Sequence, residues 1–150
     1  MAWLEADFED ALDFQLFGLT SVVGSHRLCW ELNRALGWGL TYYRTLGLPE
    51  SSRKMDPDEG SEPPAFVAHR YHRPQLGWDV TLVLNRAERR VLVEKLPRVD
   101  YLLRVGECTH DLEPLPTLLK QLPSVTWATS LDVMKTGAWE TMGLLDVRKD

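Results

Sequence analysis

The stretch Ala65-Phe66-Val67-Ala68-His69-Arg70-Tyr71-His72-Arg73, the break Pro74-Gln75-Leu76-Gly77, and Trp78-Asp79-Val80-Thr81-Leu82-Val83-Leu84 decide the fold class. Trp78, Val80, Leu82 and Leu84 alternate with Asp79 and Thr81, the period-two signature of a strand with two unlike faces. The Pro-to-Gly break supplies a turn between two extended segments. Asn85 to Arg89 reads as the next turn and Arg90 to Glu94 as a further short strand through Val91 and Val93, so residues 65 to 94 predict an antiparallel meander. Pro97 interrupts it, and Tyr101-Leu102-Leu103-Arg104-Val105 resumes extended structure with Tyr101, Leu103 and Val105 on one face.

Working outward, Phe14-Gln15-Leu16-Phe17-Gly18-Leu19-Thr20 predicts an earlier strand. Ser25 is placed to cap a helix over about 25 to 37, in which Leu28, Leu32, Ala35 and Leu36 form the apolar stripe. Arg27, Glu31 and Arg34 fall on its solvent side, and Gly37 is placed as a left-handed stop. Residues 49 to 64 carry almost no apolar side chains and several turn formers, and read as a flexible loop within one domain. Downstream, Leu115, Leu118, Leu119 and Leu122 mark a short second helix begun near Pro114 and Pro116 and ended by Pro123. Val125, Trp127, Thr129, Leu131 and Val133 then alternate with polar or small residues as a last strand, followed by an extended tail over about 134 to 150. The order β-α-β-β-β-β-α-β predicts a single α+β domain over residues 1 to 150, a two-layer sandwich of one antiparallel sheet with both helices on one face. The compact 101 to 133 unit is compatible with a ferredoxin-like half.

The 150 residues suffice for one core and not for two. A net charge of -5, from 17 Lys plus Arg against 22 Asp plus Glu, disfavours generic binding to nucleic acid or anionic membranes. The acid collects in Glu5 to Asp13 and in the 49 to 64 loop, whereas arginine concentrates on the central strands. Two cysteines cannot make a disulfide framework, and Met1 to Asp13 is acidic where a secretory leader is basic, so a cytoplasmic location is expected. No stretch approaches the roughly 18 apolar residues of a membrane span.

Two segments and a weaker echo carry a resemblance. His26-Arg27-Leu28-Cys29-Trp30-Glu31-Leu32-Asn33-Arg34-Ala35-Leu36-Gly37 and Val99-Asp100-Tyr101-Leu102-Leu103, with Gly143-Leu144-Leu145 near the end, resemble segments of a bacterial family named for its IPExxxVDY motif and found chiefly in the Bacteroidota. The matching positions are Arg27, Leu28, Cys29, Trp30 and Asn33 on the helix and Val99, Asp100 and Tyr101 before the strand. Val93-Glu94-Lys95 stands where Ile-Pro-Glu would, so the first half of the motif is absent. The resemblance implies continuity of fold along the chain and assigns no catalytic residue. Asp100 is expected to bond backbone amides of the turn around Pro97.

The chemistry-bearing residues do not assemble into a motif. Cys108, His110 and Asp111 lie close in sequence, but nothing around Cys108 would activate a thiol, and Asp111 reads as a cap for the second helix. His69 and His72 sit on opposite faces of a strand and cannot chelate one metal. Cys29 reads as a small buried hydrophobe. Phosphate-cradling glycine loops, GxSxG, CxxC and HExxH are absent from the sequence. No catalytic residue, cofactor or metal is therefore expected. Arg70, Arg73, Arg86, Arg89 and Arg90 would form one anion-binding face if the central strands brought them together, with Tyr71 beside them for base stacking. Trp30, Trp38, Trp78 and Trp127 are expected in the core. The composite expectation is a non-enzymatic interaction or regulatory module whose partner is another protein or a second copy. A small-molecule-sensing ferredoxin-like domain is the alternative, and RNA binding through the arginine face comes third.

Overall fold

The computed structural model describes residues 14–47, 65–87, 90–106, 110–138 and 141–142. The sequence around residue 74 forms the hairpin its pattern predicts: β3 (Ala65–Arg73) pairs antiparallel with β4 (Trp78–Leu84) through a single 3-10 turn at Pro74–Leu76. Gly77 closes that turn at φ 76°, a left-handed conformation that glycine adopts without steric cost. Around the hairpin the chain adds β1 (Phe14–Ser21), α1 (Ser25–Leu36), β2 (Thr41–Gly47), β5 (Arg86–Ala87), β6 (Arg90–Val91), β7 (Tyr101–Gly106), α2 (Leu115–Lys120) and β8 (Val125–Leu131). The main sheet has six strands in the order β2-β3-β4-β7-β1-β8, every neighbouring pair antiparallel.

The α+β class and the single sheet carrying both helices on one face match the sequence reading. Phe17, Leu19, Val80, Leu82, Tyr101, Leu103 and Val105 project from the sheet onto Leu28, Cys29 and Leu32 of α1 and Leu115 and Leu119 of α2. The opposite face is covered too. Leu16, Phe66, Ala68, Val83 and Leu102 pack beneath Val93, Val99, Ala138 and Met142. All six residues of β7 are buried as a result, because it is a central strand with both faces covered.

Four expectations change. The meander does not continue into 90–94, since β5 and β6 pair only with each other and the strand beside β4 is β7. Asn85 causes the diversion. It is fully buried, its amide donates to the carbonyls of Leu96 (2.9 Å) and Val99 (2.8 Å), and its side-chain oxygen accepts from Val93 N–H (2.9 Å). A loop that buries backbone needs such a partner. Second, β2 forms without the sequence signature of a strand, because Thr41-Tyr42-Tyr43-Arg44-Thr45-Leu46-Gly47 buries only Leu46 and a bulge between Tyr42 and Arg44 breaks its period. Third, the six-strand order differs from the ferredoxin-like one. Within it, β7 and β8 both pair antiparallel with β1, so they run parallel to each other with β1 between them. Fourth, the segment expected as an extended tail turns at residues 133–137, where Asp132 Oδ1 accepts from the N–H groups of Met134 and Lys135, and it sends Ala138 and Met142 into the core. The 49 to 64 loop lies outside the described residues.

Capping also differs in detail. Gly37 ends α1 at φ 72° as predicted, its N–H bonding Asn33 O, but Gly24 is the N-cap and Ser25 is the first helical residue. On β8 a bulge sets Ser21 opposite Val125 and Thr20 opposite Trp127, skipping Thr126. The bulge reverses the strand's phase, so Val125 and Ala128 share the helix-side face, while Trp127 is 42% exposed instead of buried.

Candidate functional site

Helix α1 presents Trp30 to solvent, 48% exposed, where the sequence reading put it in the core. Arg27 and Arg34 lie three residues before it and four after, the separations that make side chains neighbours on a helix. Their guanidinium carbons sit 4.7 Å and 5.3 Å from the indole centroid, so the ring is held between two cations. Beside this stack a groove of about 600 Å³ opens between α1 and the end of α2, floored by Leu36, Leu118, Leu122 and Pro123. Leu118, expected in the core stripe of α2, is 42% exposed there. The apolar floor and cationic rim suit a ligand that joins apolar to anionic groups.

The acidic residue lining the groove is directed away from any ligand. Helical phase places Glu31 on the solvent side of α1, yet it is buried. One carboxylate oxygen accepts from Ser124 N–H (3.0 Å), and the other from the Ser124 hydroxyl and from Arg27 Nε (3.0 Å). Burial raises its pKa, but the Ser124 hydrogen bonds and the Arg27 charge outweigh that and hold it below the usual carboxylate value. Glu31 therefore ties α1 to the α2–β8 connection and neutralises part of Arg27's charge. Arg34 supplies the rim's other cation.

The residues behind the family resemblance divide between core, clamp and rim. Leu28 and Cys29 are buried, and burial pushes the Cys29 thiol up to about 12, an inert small hydrophobe as expected. Asn33 makes a two-way bond with the backbone of Leu40, accepting its N–H (2.8 Å) and donating to its carbonyl (3.3 Å). Val99 is buried in the second core. Asp100 does not bond the turn around Pro97. Its carboxylate accepts from Ser21 N–H (2.9 Å) and pairs with Arg86 (3.4 Å). Tyr101 donates its hydroxyl to Val23 O (2.6 Å), so the two adjacent residues hold the β1–α1 connection from successive positions. Burial, then Asp100 and Cys29, push the Tyr101 phenol up to about 12. Arg27 and Trp30 are the members of the set that reach the groove.

Of the five arginines expected as one face, the four that are described are dispersed. Arg70 projects from β3 onto the face opposite the helices, where it meets Asp79 (3.0 Å), with His72 Nδ1 3.4 Å from the same carboxylate oxygen. Arg73, three residues on, alternates to the other face and lies 5.8 Å from the Tyr71 ring. Arg86 and Arg90 belong to the β5–β6 ladder beyond the far end of β4, about 20 Å from the Arg73 end at roughly 3.3 Å per residue. Arg89 lies outside the described residues.

His69 and His72 point to opposite faces as predicted. His69 is buried with Nε2 3.1 Å from Ser25 Oγ, which diverts Ser25 from capping α1. Its pKa is lowered by burial and then by His26, whose ring centroid is 5.4 Å away. His110 stacks on Trp78 at 4.1 Å, and its Nε2 lies 2.8 Å from Leu76 O. Cys108 lies outside the described residues. Asp111 Oδ1 accepts from Glu113 N–H (3.1 Å), a turn just ahead of α2. No group of three His, Cys, Asp or Glu suited to a metal occurs among the described residues. No described helix is long and apolar enough to cross a membrane.

The spacing of Arg27, Trp30 and Arg34 on one helix is a signal that could have revealed the stack, but the sequence reading assigned Trp30 to the core. The groove left no such signal, because the wall comes from α2, almost ninety residues away in the chain. No protein family matches the chain, and comparison with curated proteins and with solved structures likewise returned no match.

Proposed function

We propose that this protein is a non-enzymatic, cytoplasmic interaction module that uses the α1–α2 groove to hold an acidic amphipathic segment of a partner protein. The observation that carries the reading is Trp30 held between Arg27 and Arg34 at the rim of an apolar groove whose own carboxylate, Glu31, is turned inward. An aromatic anchor with arginine beside it is the side-chain combination that dominates binding energy at protein interfaces. A helix with aliphatic anchors and acidic neighbours would fill the floor and pair with the rim. Kinship with the IPExxxVDY family is part of the proposal and rests on the resemblance of the helix that carries Arg27 and Trp30. The dispersal of the arginines leaves the RNA reading without its premise.

The test is a titration of wild type, Trp30→Ala and Arg34→Glu with amphipathic peptides of one apolar pattern, carrying either Asp/Glu or Lys/Arg on the polar face. The expected result is binding of the acidic peptide, weakened at least about tenfold by either substitution, equivalent to roughly 1.4 kcal/mol. Equal binding of both peptides, or indifference to both substitutions, overturns the reading. The groove's volume also falls in the range of small-molecule sites. If an aryl or alkyl carboxylate binds with the same dependence on Trp30 and Arg34 while the peptides do not, the sensor reading replaces the module.

A further inference from the structure

The outer edge of β8 ends the six-stranded sheet, and the strand there reads Val125-Thr126-Trp127-Ala128-Thr129-Ser130-Leu131. It contains no charge and no proline, two of the devices that keep sheet edges from pairing with another chain. The opposite edge, β2, is guarded by Arg44 and by a bulge in its middle. The bulge on β8 is confined to its start, at Thr126, which leaves Trp127 to Leu131 regular. Among the described residues nothing pairs with the outer side of this segment.

The sequence of that regular segment is complementary to itself. Trp127, Thr129 and Leu131 share the face away from the helices, while Ala128 and Ser130 are on the other. An antiparallel pairing centred on Thr129 sets Trp127 against Leu131 of a second copy, Thr129 against Thr129, and Ala128 against Ser130. Aromatic-aliphatic and Thr–Thr are favourable cross-strand pairs. On the helix side Ala128 is fully buried in the core and Ser130 is exposed. Trp127 is already oriented for the role. Its ring lies over Gly18, where a Cβ would come within 3.3 Å of it, yet 42% of the residue remains exposed.

We propose that the protein forms a two-fold dimer by antiparallel pairing of β8 with β8 about Thr129, joining two six-stranded sheets into one. The contact is two short strands and their side chains, so it falls in the small, concentration-dependent class of interfaces. It does not rest on the groove reading, because the edge residues that carry it lie outside the groove.

Sedimentation equilibrium from about 10 μM to about 1 mM, across the range where small interfaces associate, measures the assembly. Oxidative cross-linking of Thr129→Cys and Thr126→Cys, each in a Cys108→Ser background, locates it. Only a residue on the axis meets its own copy, within reach of a disulfide. The expected results are a mass rising toward twice the single chain, a covalent dimer from Thr129→Cys, and none from Thr126→Cys. Trp127→Lys is expected to remain single, with a thermal melt run beside it because the ring also packs on Gly18; the cross-link decides if that variant unfolds. A wild-type protein that stays single throughout overturns the proposal. So does a dimer that Thr129→Cys fails to trap, or equal trapping at 126 and 129.

Discussion

Replacing Glu31 with alanine removes a carboxylate that joins two elements far apart in sequence. The side chain is buried and accepts from Ser124 N–H, Ser124 Oγ and Arg27 Nε. Hydrogen bonds to a charged group contribute about 1.5–3 kcal/mol each, but the two at Ser124 act as a unit and are not additive. Arg27's side chain is 56% exposed, so its pair with Glu31 adds only a few tenths of a kcal/mol. Glu31→Ala is therefore expected to cost about 3 kcal/mol, and Glu31→Gln about half, since the amide keeps an acceptor for the backbone N–H. At roughly 2–4 °C per kcal/mol for a chain of this size, the alanine variant melts about 6–12 °C lower. Because Glu31's pKa is lowered in the folded protein, its contribution is present above the ordinary value of 4.5 and is lost as pH falls through the folded value. Urea unfolding at pH 7 and pH 3 checks both points, with an unchanged m value as the control on two-state behaviour. A loss under about 0.5 kcal/mol at pH 7, the range of ordinary surface substitutions, would refute the clamp. A gap between wild type and variant that does not narrow by pH 3 would refute the carboxylate's part in it.

Asn85→Ala is expected to cost about 3–5 kcal/mol, because it deletes three side-chain bonds and leaves Val93 N–H and the Val99 carbonyl buried without them, while the Leu96 carbonyl keeps only its bond from Val99 N–H. Hydrogen exchange should show residues 92–100 losing protection first, and unchanged protection there would count against the hub. Tyr101→Phe removes the bond to Val23 O and should cost about 1 kcal/mol by thermal melting. In the wild type, absorbance titration should find one tyrosine ionising only near 12 while the chain stays folded. His69's lowered pKa means the unfolded chain takes the proton first, so stability is expected to fall as pH drops below the ordinary 6.5. A His69→Gln variant should flatten that dependence, and an equal slope in both would remove His69 as its source. In a Cys108→Ser background, Cys29 should resist a thiol reagent at pH 8 until the chain unfolds, as burial holds it near 12.

Periodicity made much of the fold readable. Alternation in Trp78–Leu84 and Tyr101–Val105 identified both strands and their helix-side residues, and Leu28, Leu32 and Gly37 placed α1 and its end. Periodicity failed where one residue answers to a partner elsewhere in the chain. Glu31 looks solvent-facing by helical phase and is buried because Ser124 comes to meet it. Ser25 has the chemistry of a cap and bonds His69 instead. Trp127 has the phase of a core residue until the bulge opposite Ser21 shifts it.

The sequence by itself determined the α+β class, the two helices, five of the six main-sheet strands and the mutual exclusion of His69 and His72, because each depends on local spacing and backbone geometry alone. It carried the i−3 and i+4 spacing of Arg27 and Arg34 about Trp30, but that Trp30 faces solvent between them was decided by the packing of α1. Strand order, the second covered face, the dispersal of the arginines and the wall that turns an exposed tryptophan into a groove were decided only in three dimensions. Those features depend on which distant segments share a surface, and Asn85 sets one such choice by diverting the chain after β4 so that β7, not the next segment in sequence, becomes its neighbour.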